Sequence, residues 1–534
     1  MEWQGSEEDG ISRRKLLVGG IGAVGLTVAS SPLNFGAAAR AAKVPLAKDG
    51  LFSHGVMSGM PTQRAITLWT RLSEIGRSSR LTLEVSRDKK FRKVVHRRTV
   101  LADAKRDYTV HALVRDLKPG TEYFYRFHTR NRNSRVGRFR TLPPADSHQP
   151  IRIAFFSCQN YEAGYFTAHA AMAKEKDLDL VVCLGDYIYE KHYWDGPAGR
   201  VDQTGVNHDG DAQLLSEYNE KYRLYQSDRH LADMHANHPF LSVWDDHEVE
   251  DNIAGTHPSS AVTDPDRFDN TDTPRRVPLL TRRANGYKAF FDHMPRTRNK
   301  KNHNMVFGSL RFGRTAELFL TDQRQYRSQQ PCNDRILLAC ADDDNPARTM
   351  LGQNQKKWFK KAVSNSTSKW KLWGSEVMVM SLDLPKESHV NHDQWDGYGA
   401  ERREILEHFR NNGVKNLAVL SGDIHSFFAG ELSTRGNDTG LPIGTEFTGG
   451  SITSKGLPEE TGISGEAMLS LMEENDPHFA WADPVNRGYG VVTCRQNELI
   501  CEMKSPLTVD SPDSSARTLA KFRVKAGSTT VELI

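Results

Sequence analysis

The chain has 534 residues, 38% hydrophobic and 26% charged, with a formal net charge of +4. That length and balance suit a globular protein of more than one domain and exclude a disordered or fibrous chain. Both charge signs are interspersed and no long basic run occurs, so nothing points to nucleic acid as a specific partner.

Residues 1–41 read as a twin-arginine signal peptide. Ser12-Arg13-Arg14-Lys15-Leu16-Leu17 carries the arginine pair, an apolar Gly-rich stretch runs from Leu16 to Ala29, and Ala37-Ala38-Ala39-Arg40-Ala41 offers A-x-A cleavage. The apolar core is too short for the roughly 30 Å of bilayer hydrocarbon. The expectation is a secreted or periplasmic protein carried by the Tat export machinery, with no stable membrane insertion.

Residues 44–145 read as a small all-β domain. Alternation marks Ala65–Thr70 and Leu81–Val85, and Leu117–Arg126 is a turn entering a strand, with Tyr123 placed like the corner tyrosine of a sandwich. A fibronectin-like sandwich is expected, followed by a linker at Pro143–Pro150.

From Ile151 to the end, strand runs alternate with helical patterns. Strands are predicted at Ile151–Phe156, Leu178–Leu184, Phe240–Trp244, Glu317–Thr321, Lys369–Gly374 and Asn416–Ser421. Helices are predicted near Phe166–Lys176 and at Leu215–Tyr225, Leu279–Asp292, Gly352–Ser364 and Glu401–Asn411, with a last strand at Leu519–Lys525. This is an α/β layered domain, 151–534, interrupted by loop-rich insertions at 191–212 and 253–275. Continuous Val/Leu runs read as strands buried on both faces, as in one parallel sheet covered by helices.

Of six cysteines, Cys332 and Cys340 flank a short loop, and Cys494 and Cys501 face each other across a hairpin turning near Asn497. Both pairs are expected as disulfides in an exported protein. Cys183 lies inside a strand and reads as core.

Ligand-binding residues in such sheets sit just past the strands' carboxyl ends. Five such ends carry polar groups: Ser157-Cys158-Gln159-Asn160; Asp186 and Tyr189; Asp245-Asp246-His247-Glu248, with Asn252 beyond; Asp322 to Arg327; and Asp423 with His425. Any one Asp here is explained by capping or turn formation. Recurrence of acid, imidazole, phenol and thiol at one sheet edge points instead to metal. Phenolate and thiolate suit ferric iron, while carboxylate and carbonyl oxygens suit calcium, magnesium or manganese. Asp186, between the two sets, is the natural bridge of a dinuclear site that clamps a phosphate and supplies a hydroxide. His247 then serves as proton donor to the leaving group or binds a phosphoryl oxygen, and Arg324 or Arg327 adds bidentate phosphate contacts. A thiol nucleophile at Cys158 is the rival chemistry, but it gives no reason for Tyr189 or for two Gly-Asp motifs. A non-catalytic binding protein predicts degenerate metal positions, and none is missing.

The order SCQN, GDYIYE, WDDHE, DQRQYR, LGxxQxxWF (351–359), QWDGY (394–398) and GDIH resembles the alkaline phosphatase D (PhoD-like) family, and is similar to the wider calcineurin-like and purple acid phosphatases. The resemblance runs from Phe52 nearly to the C-terminus and includes Gly55–Pro61 and Leu68–Arg71. It implies a layered β-sandwich phosphoesterase domain with helices on both faces. It implies further that Cys158, Asp186, Tyr189 and His425 hold Fe3+, with Asp186 bridging to one or two Ca2+ also held by Asp423 and by Asp246 or Asn252. Mn2+ and Zn2+ rank behind these, and pattern does not separate Asp245 from Asp246. Cys158 and Asp423 stand where related enzymes have Asp and the first His of GHxH, which fits the phosphatase D branch. The implied activity is hydrolysis of phosphodiesters and phosphomonoesters at alkaline pH through a metal-activated hydroxide. The alternative is phospholipase D-like action on phospholipid headgroups, with Tyr193 and Trp194 at an apolar mouth.

Overall fold

The computed structural model describes residues 44–192, 199–258, 276–338, 340–384, 388–436 and 440–534. The twin-arginine segment, Tyr193, Trp194 and most of the 253–275 insertion lie outside the described residues.

Seven strands come first: β1 (Val56–Gly59), β2 (Ile66–Arg71), β3 (Ser79–Ser86), β4 (Val94–Ala102), β5 (Thr109–Val114), β6 (Glu122–His128) and β7 (Gly137–Arg140). β4-β3-β6-β7 form one antiparallel sheet, and β1, β2 and β5 face it across Leu68, Leu83, Tyr125, Phe127 and Phe139. Alternation drives this arrangement, since β6 buries every second residue. The phenol of Tyr123 accepts the Lys118 N–H at 2.9 Å, the corner contact expected from the sequence.

The rest of the chain builds two mixed sheets. The first begins with β8 (Ile151–Phe156), β9 (Leu180–Cys183) and β10 (Phe240–Ser242), parallel neighbours. Next come β11 (Gly308–Phe312), β12 (Ala316–Leu320), the ribbon strand β13 (Ile336–Leu338), β14 (Trp370–Gly374), its ribbon neighbour β15 (His389–Asn391), β16 (Leu417–Ser421), β17 (Phe427–Ser433), β18 (Pro442–Thr448) and β19 (Phe479–Asp483). The chain then returns to the first sheet with β20 (Tyr489–Cys494), β21 (Glu498–Pro506), β22 (Ala516–Lys525) and β23 (Glu532–Leu533). The sheet orders are β23-β22-β21-β20-β8-β9-β10-β1-β2-β5 and β11-β12-β14-β16-β18-β17-β19.

One core lies between the sheets, where Ile153, Phe155 and Val182 meet Leu318, Leu372, Leu420 and Phe447. Outside the first sheet lie α1 (Thr167–Met172), α2 (Leu215–Gln226), α3 (Arg229–Asn237) and α4 (Leu279–His293). Outside the second, α5 (Gly352–Asn365) and α6 (Gly399–Asn411) pack Phe359, Ile405 and Phe409 on Phe319 and Trp373, and the short α7 (Leu457–Thr461) and α8 (Gly465–Asn475) follow. Helices therefore cover both outer faces. No helix among the described residues is long and apolar enough to cross a membrane.

Two expectations are corrected. The polar strand ends do not share one parallel sheet: β8, β9 and β10 belong to one sheet, β12, β14 and β16 to the other. An apolar run reports burial on both faces, and a second sheet buries a face as well as a helix layer does. Nor do Cys494 and Cys501 pair. Cys501 lies opposite Val492 and Cys494 opposite Leu499, so the ladder places the two thiols out of register, and both are free and buried. Cys332 and Cys340 do form the expected disulfide.

The N-terminal strands are continuous with the first sheet, because β1 runs parallel to β10 at Gly59 and Phe240. The Trp69 indole N–H donates to the carbonyl of Asp292 at 2.9 Å, and the His111 ring meets the carbonyl of Met294 at 2.9 Å.

Candidate metal centre

Strand ends from both sheets meet at one edge of the sandwich. Glycine makes the approach possible at two places. A Cβ on Gly185, whose φ is +123°, would stand 2.3 Å from the Asp245 Cβ, and one on Gly422 would stand 2.3 Å from the Ser157 Oγ. The Gly of each Gly-Asp motif is thus needed for close packing of neighbouring strand ends. Five residues expected to bind metal take left-handed backbone: Cys158, Asp186, Asn252, Asp423 and His425, with φ between 51° and 68°. Such conformations cost on the order of 1–3 kcal/mol each and gather at functional sites.

Ligand atoms of Cys158, Asp186 and His425 lie within 4.8 Å of one another, and the same holds for Asp186, Asp246 and His247, and for Asp186, Asp245, Asp246 and Asp423. Asp186 belongs to all three groups. The Tyr189 phenol completes the first, 3.4 Å from Asp186 Oδ2 and 3.3 Å from His425 Nε2. The side chains of Asp423 and His425 are 15% and 12% exposed, while Cys158, Asp186 and Tyr189 are buried, so the first two mark the mouth.

The donor set fits cations. Oδ1 of Asp186 and Oδ1 of Asp246 are buried without a hydrogen-bond donor among the described residues. Burial, reinforced by Asp186 and Asp423, pushes the Cys158 thiol up, and burial with the Cys158 and Asp186 charges pushes the Tyr189 phenol up. A cation is what such a group of acids needs in order to ionise together. The same environment argues against Cys158 as a nucleophile, since reactive thiols sit where their pKa is lowered.

Asp245 and Asp246 separate in space. Asp245 Oδ1 accepts from Arg324 Nε, whereas Asp246 accepts the Asn252 N–H at 2.6 Å on Oδ2 and keeps Oδ1 without a donor. Asn252 commits its amide nitrogen to Asp334, 2.9 Å away. His247 stacks on Tyr189 with ring centroids 4.1 Å apart, and its Nδ1 meets Glu190 Oε2 at 2.7 Å. Burial opposes its charge, yet Asp246, Asp186 and Glu190 together hold its pKa well above the usual imidazole range.

Both arginines are buried, and Arg324 Nη1 and Nη2 and Arg327 Nη1 make no hydrogen bond among the described residues. Arg324 is 1% exposed and lies among Asp245, Asp393, Asp246 and Asp423, the last two at 3.6 Å. Arg327, also buried, meets Asp393 at 3.0 Å and donates to the Tyr398 phenol at 3.0 Å. The sequence pattern gave both to phosphate; in the fold their charge is met by carboxylates.

Sequence reasoning gave no role to the residues that hold these groups. Glu248 accepts the N–H groups of Asp186 at 3.2 Å, Tyr187 at 2.7 Å and Asp245 at 2.8 Å, clasping two strand ends together. Gln394 donates to Asp423. Ser454 reaches the Tyr189 oxygen at 2.6 Å, and Glu460 meets His425 Nδ1 at 3.0 Å. Gln394 lies in a quoted motif and was legible as polar. Ser454 and Glu460 carry no local signal, because their partners are hundreds of residues or a chain reversal away.

A family model described as PhoD-like phosphatase matches residues 153–503, and one described as its N-terminal domain matches residues 37–143. Alkaline phosphatase D of Bacillus subtilis (strain 168) is 32% identical over 489 residues, covering 88% of this chain and 80% of the relative. A solved structure titled as that of PhoD superposes with a TM-score of 0.79 at 29% identity, covering 90% of this chain and 92% of the other. A purple acid phosphatase from yellow lupin shares the fold, with a TM-score of 0.51 at 11% identity over 87% of this chain and 73% of its own.

Proposed function

We propose that this chain, which belongs to the PhoD-like phosphatase family, is an exported phosphodiesterase and phosphomonoesterase that works at alkaline pH with ferric iron and one or two calcium ions. Membership makes it a hydrolase of phosphoric esters. The metals, the pH range, the export route and the residue roles are the further reading. The observation that carries it is Asp186, shared by three clusters of ligand atoms and holding one buried oxygen without a donor.

In this reading Cys158, Asp186, Tyr189 and His425 would hold iron, and Asp186 with Asp423 and Asp246 or Asn252 would hold calcium. Cations bound there supply Lewis acidity toward the phosphoryl oxygens and acidify a water for attack on phosphorus. His247, its Nδ1 held by Glu190 Oε2 at 2.7 Å, hands a proton to the departing alcohol. Arg324 balances the carboxylates and keeps Asp245 and Asp393 in place, and Arg327 supports it through Asp393. The twin-arginine segment supports export of the enzyme in folded form.

The test is elemental analysis and a visible spectrum of purified enzyme, together with hydrolysis of a chromogenic phosphodiester by wild type and Asp186→Asn. Bound iron and calcium, a coloured enzyme and an inactive, folded variant are expected. A metal-free enzyme of full activity, or an active Asp186→Asn, overturns the reading.

A further inference from the structure

The stretch 451–460 touches three of the four residues assigned to iron. The Ile452 N–H lies 3.1 Å from the Cys158 carbonyl, Ser454 Oγ is 2.6 Å from the Tyr189 oxygen, and Glu460 meets His425 Nδ1 at 3.0 Å. Ser454 is fully buried, so no water competes for its single hydroxyl proton.

Among the described residues, two acceptors stand within reach of that proton: the Cys158 carbonyl at 3.1 Å and the Tyr189 oxygen at 2.6 Å. The carbonyl is already served by Ile452 N–H. The Asn160 N–H points to Ser454 Oγ at 3.4 Å and occupies a lone pair, not the proton. The loop itself is pinned, since the Ser451 hydroxyl donates to the Ser454 carbonyl at 2.5 Å and the Thr453 hydroxyl to the Asn160 carbonyl at 2.6 Å. An ionised phenolate is the stronger acceptor of the two, because a hydrogen bond to a charged oxygen is shorter and about twice as strong as one to a neutral oxygen.

We propose that Ser454 is a positioning residue for Tyr189: its hydroxyl donates to the phenolate oxygen and limits how strongly that oxygen gives electrons to a ferric ion. The assignment rests on the metal reading above. Outer hydrogen bonds orient ligands and tune the metal they hold, and hydrogen bonding to the ligand atoms is one of the protein's levers on an iron site's potential. Removing this bond raises the energy of the phenolate electrons. The phenolate-to-iron charge-transfer band then moves to longer wavelength.

The experiment compares wild type, Ser454→Ala and Ser454→Thr as purified full-length enzymes, with iron content and visible absorption measured on each. The expected result is a band at longer wavelength in Ser454→Ala and a wild-type position in Ser454→Thr, which keeps the hydroxyl. Loss of iron from Ser454→Ala with recovery in Ser454→Thr supports the same role. An unmoved band in fully loaded Ser454→Ala overturns the Ser454 assignment alone. Absence of the band from iron-loaded wild type overturns the Tyr189 ligand assignment, and this proposal with it.

Discussion

The side-chain amide of Asn252 donates to Asp334 Oδ2 at 2.9 Å, and Asp334 lies inside the loop closed by the Cys332–Cys340 disulfide. Gln330, just before that loop, donates to the Asn252 carbonyl at 2.8 Å. The disulfide therefore frames a residue assigned to calcium. Opening it restores the loop's freedom, worth about 2–3 kcal/mol for a closure this short. Cys332→Ser/Cys340→Ser is expected to raise the calcium concentration needed for half-maximal activity while leaving iron content unchanged. Calcium titration of activity after chelation checks this, and an unchanged titration refutes it.

Replacing His247 by Asn removes the proton that the leaving alcohol needs. The loss in kcat is expected to reach roughly 100- to 10,000-fold for alkyl leaving groups, the usual contribution of a general acid. Nitrophenolate, which departs without a proton, should lose far less. A series of diesters graded by leaving-group pKa measures the difference, and an equal loss across the series would refute the role.

Glu248 satisfies three buried N–H groups of the two strand ends. Glu248→Ala strands them, at about 1–3 kcal/mol each. Lower thermal stability and reduced metal content together are expected, read by a melting curve and elemental analysis. A variant that keeps full metal content at wild-type stability would show that Asp186 and Asp245 hold their places without it.

Acid should destabilise the fold through His235 and His238. Burial, with Arg135 and Arg138 nearby, lowers their pKa values to about 3 and about 4. The unfolded chain, with ordinary imidazoles near 6.5, therefore binds protons first as pH falls. Stability is complete above about 6.5 and is lost progressively toward pH 4, by on the order of 3 kcal/mol for His238 alone. Denaturant midpoints at pH 7 and pH 5 test the sign, and His238→Gln should flatten the dependence.

How far the sequence reaches depends on whether a signal is local. Strand ends at Phe156 and Ser421 were legible, and that at Cys183 to within one residue, because an apolar run stops at a polar loop, and α2, α4, α5 and α6 because their periodicity is long. The metal-binding residues were legible as types in order. What covers a buried strand was not, since Leu318 and Leu420 look the same under a helix or a second sheet. Register was not either: a shift of two positions in the β20–β21 hairpin decides whether Cys494 and Cys501 bond. The counter-charges on Arg324 and the hydroxyl of Ser454 depend on contacts across the whole chain, and no spacing rule reports them.

Because β1 lies alongside β10, the small N-terminal module is not a detachable appendage. Excising it would leave the backbone of Phe240 with a bare flank and strip the indole and imidazole from the carbonyls of Asp292 and Met294. A raw flank of that kind invites other chains to join it. Shortened versions of this enzyme should clump before they fail at chemistry, so the sandwich acts as a permanent cap for the catalytic sheet.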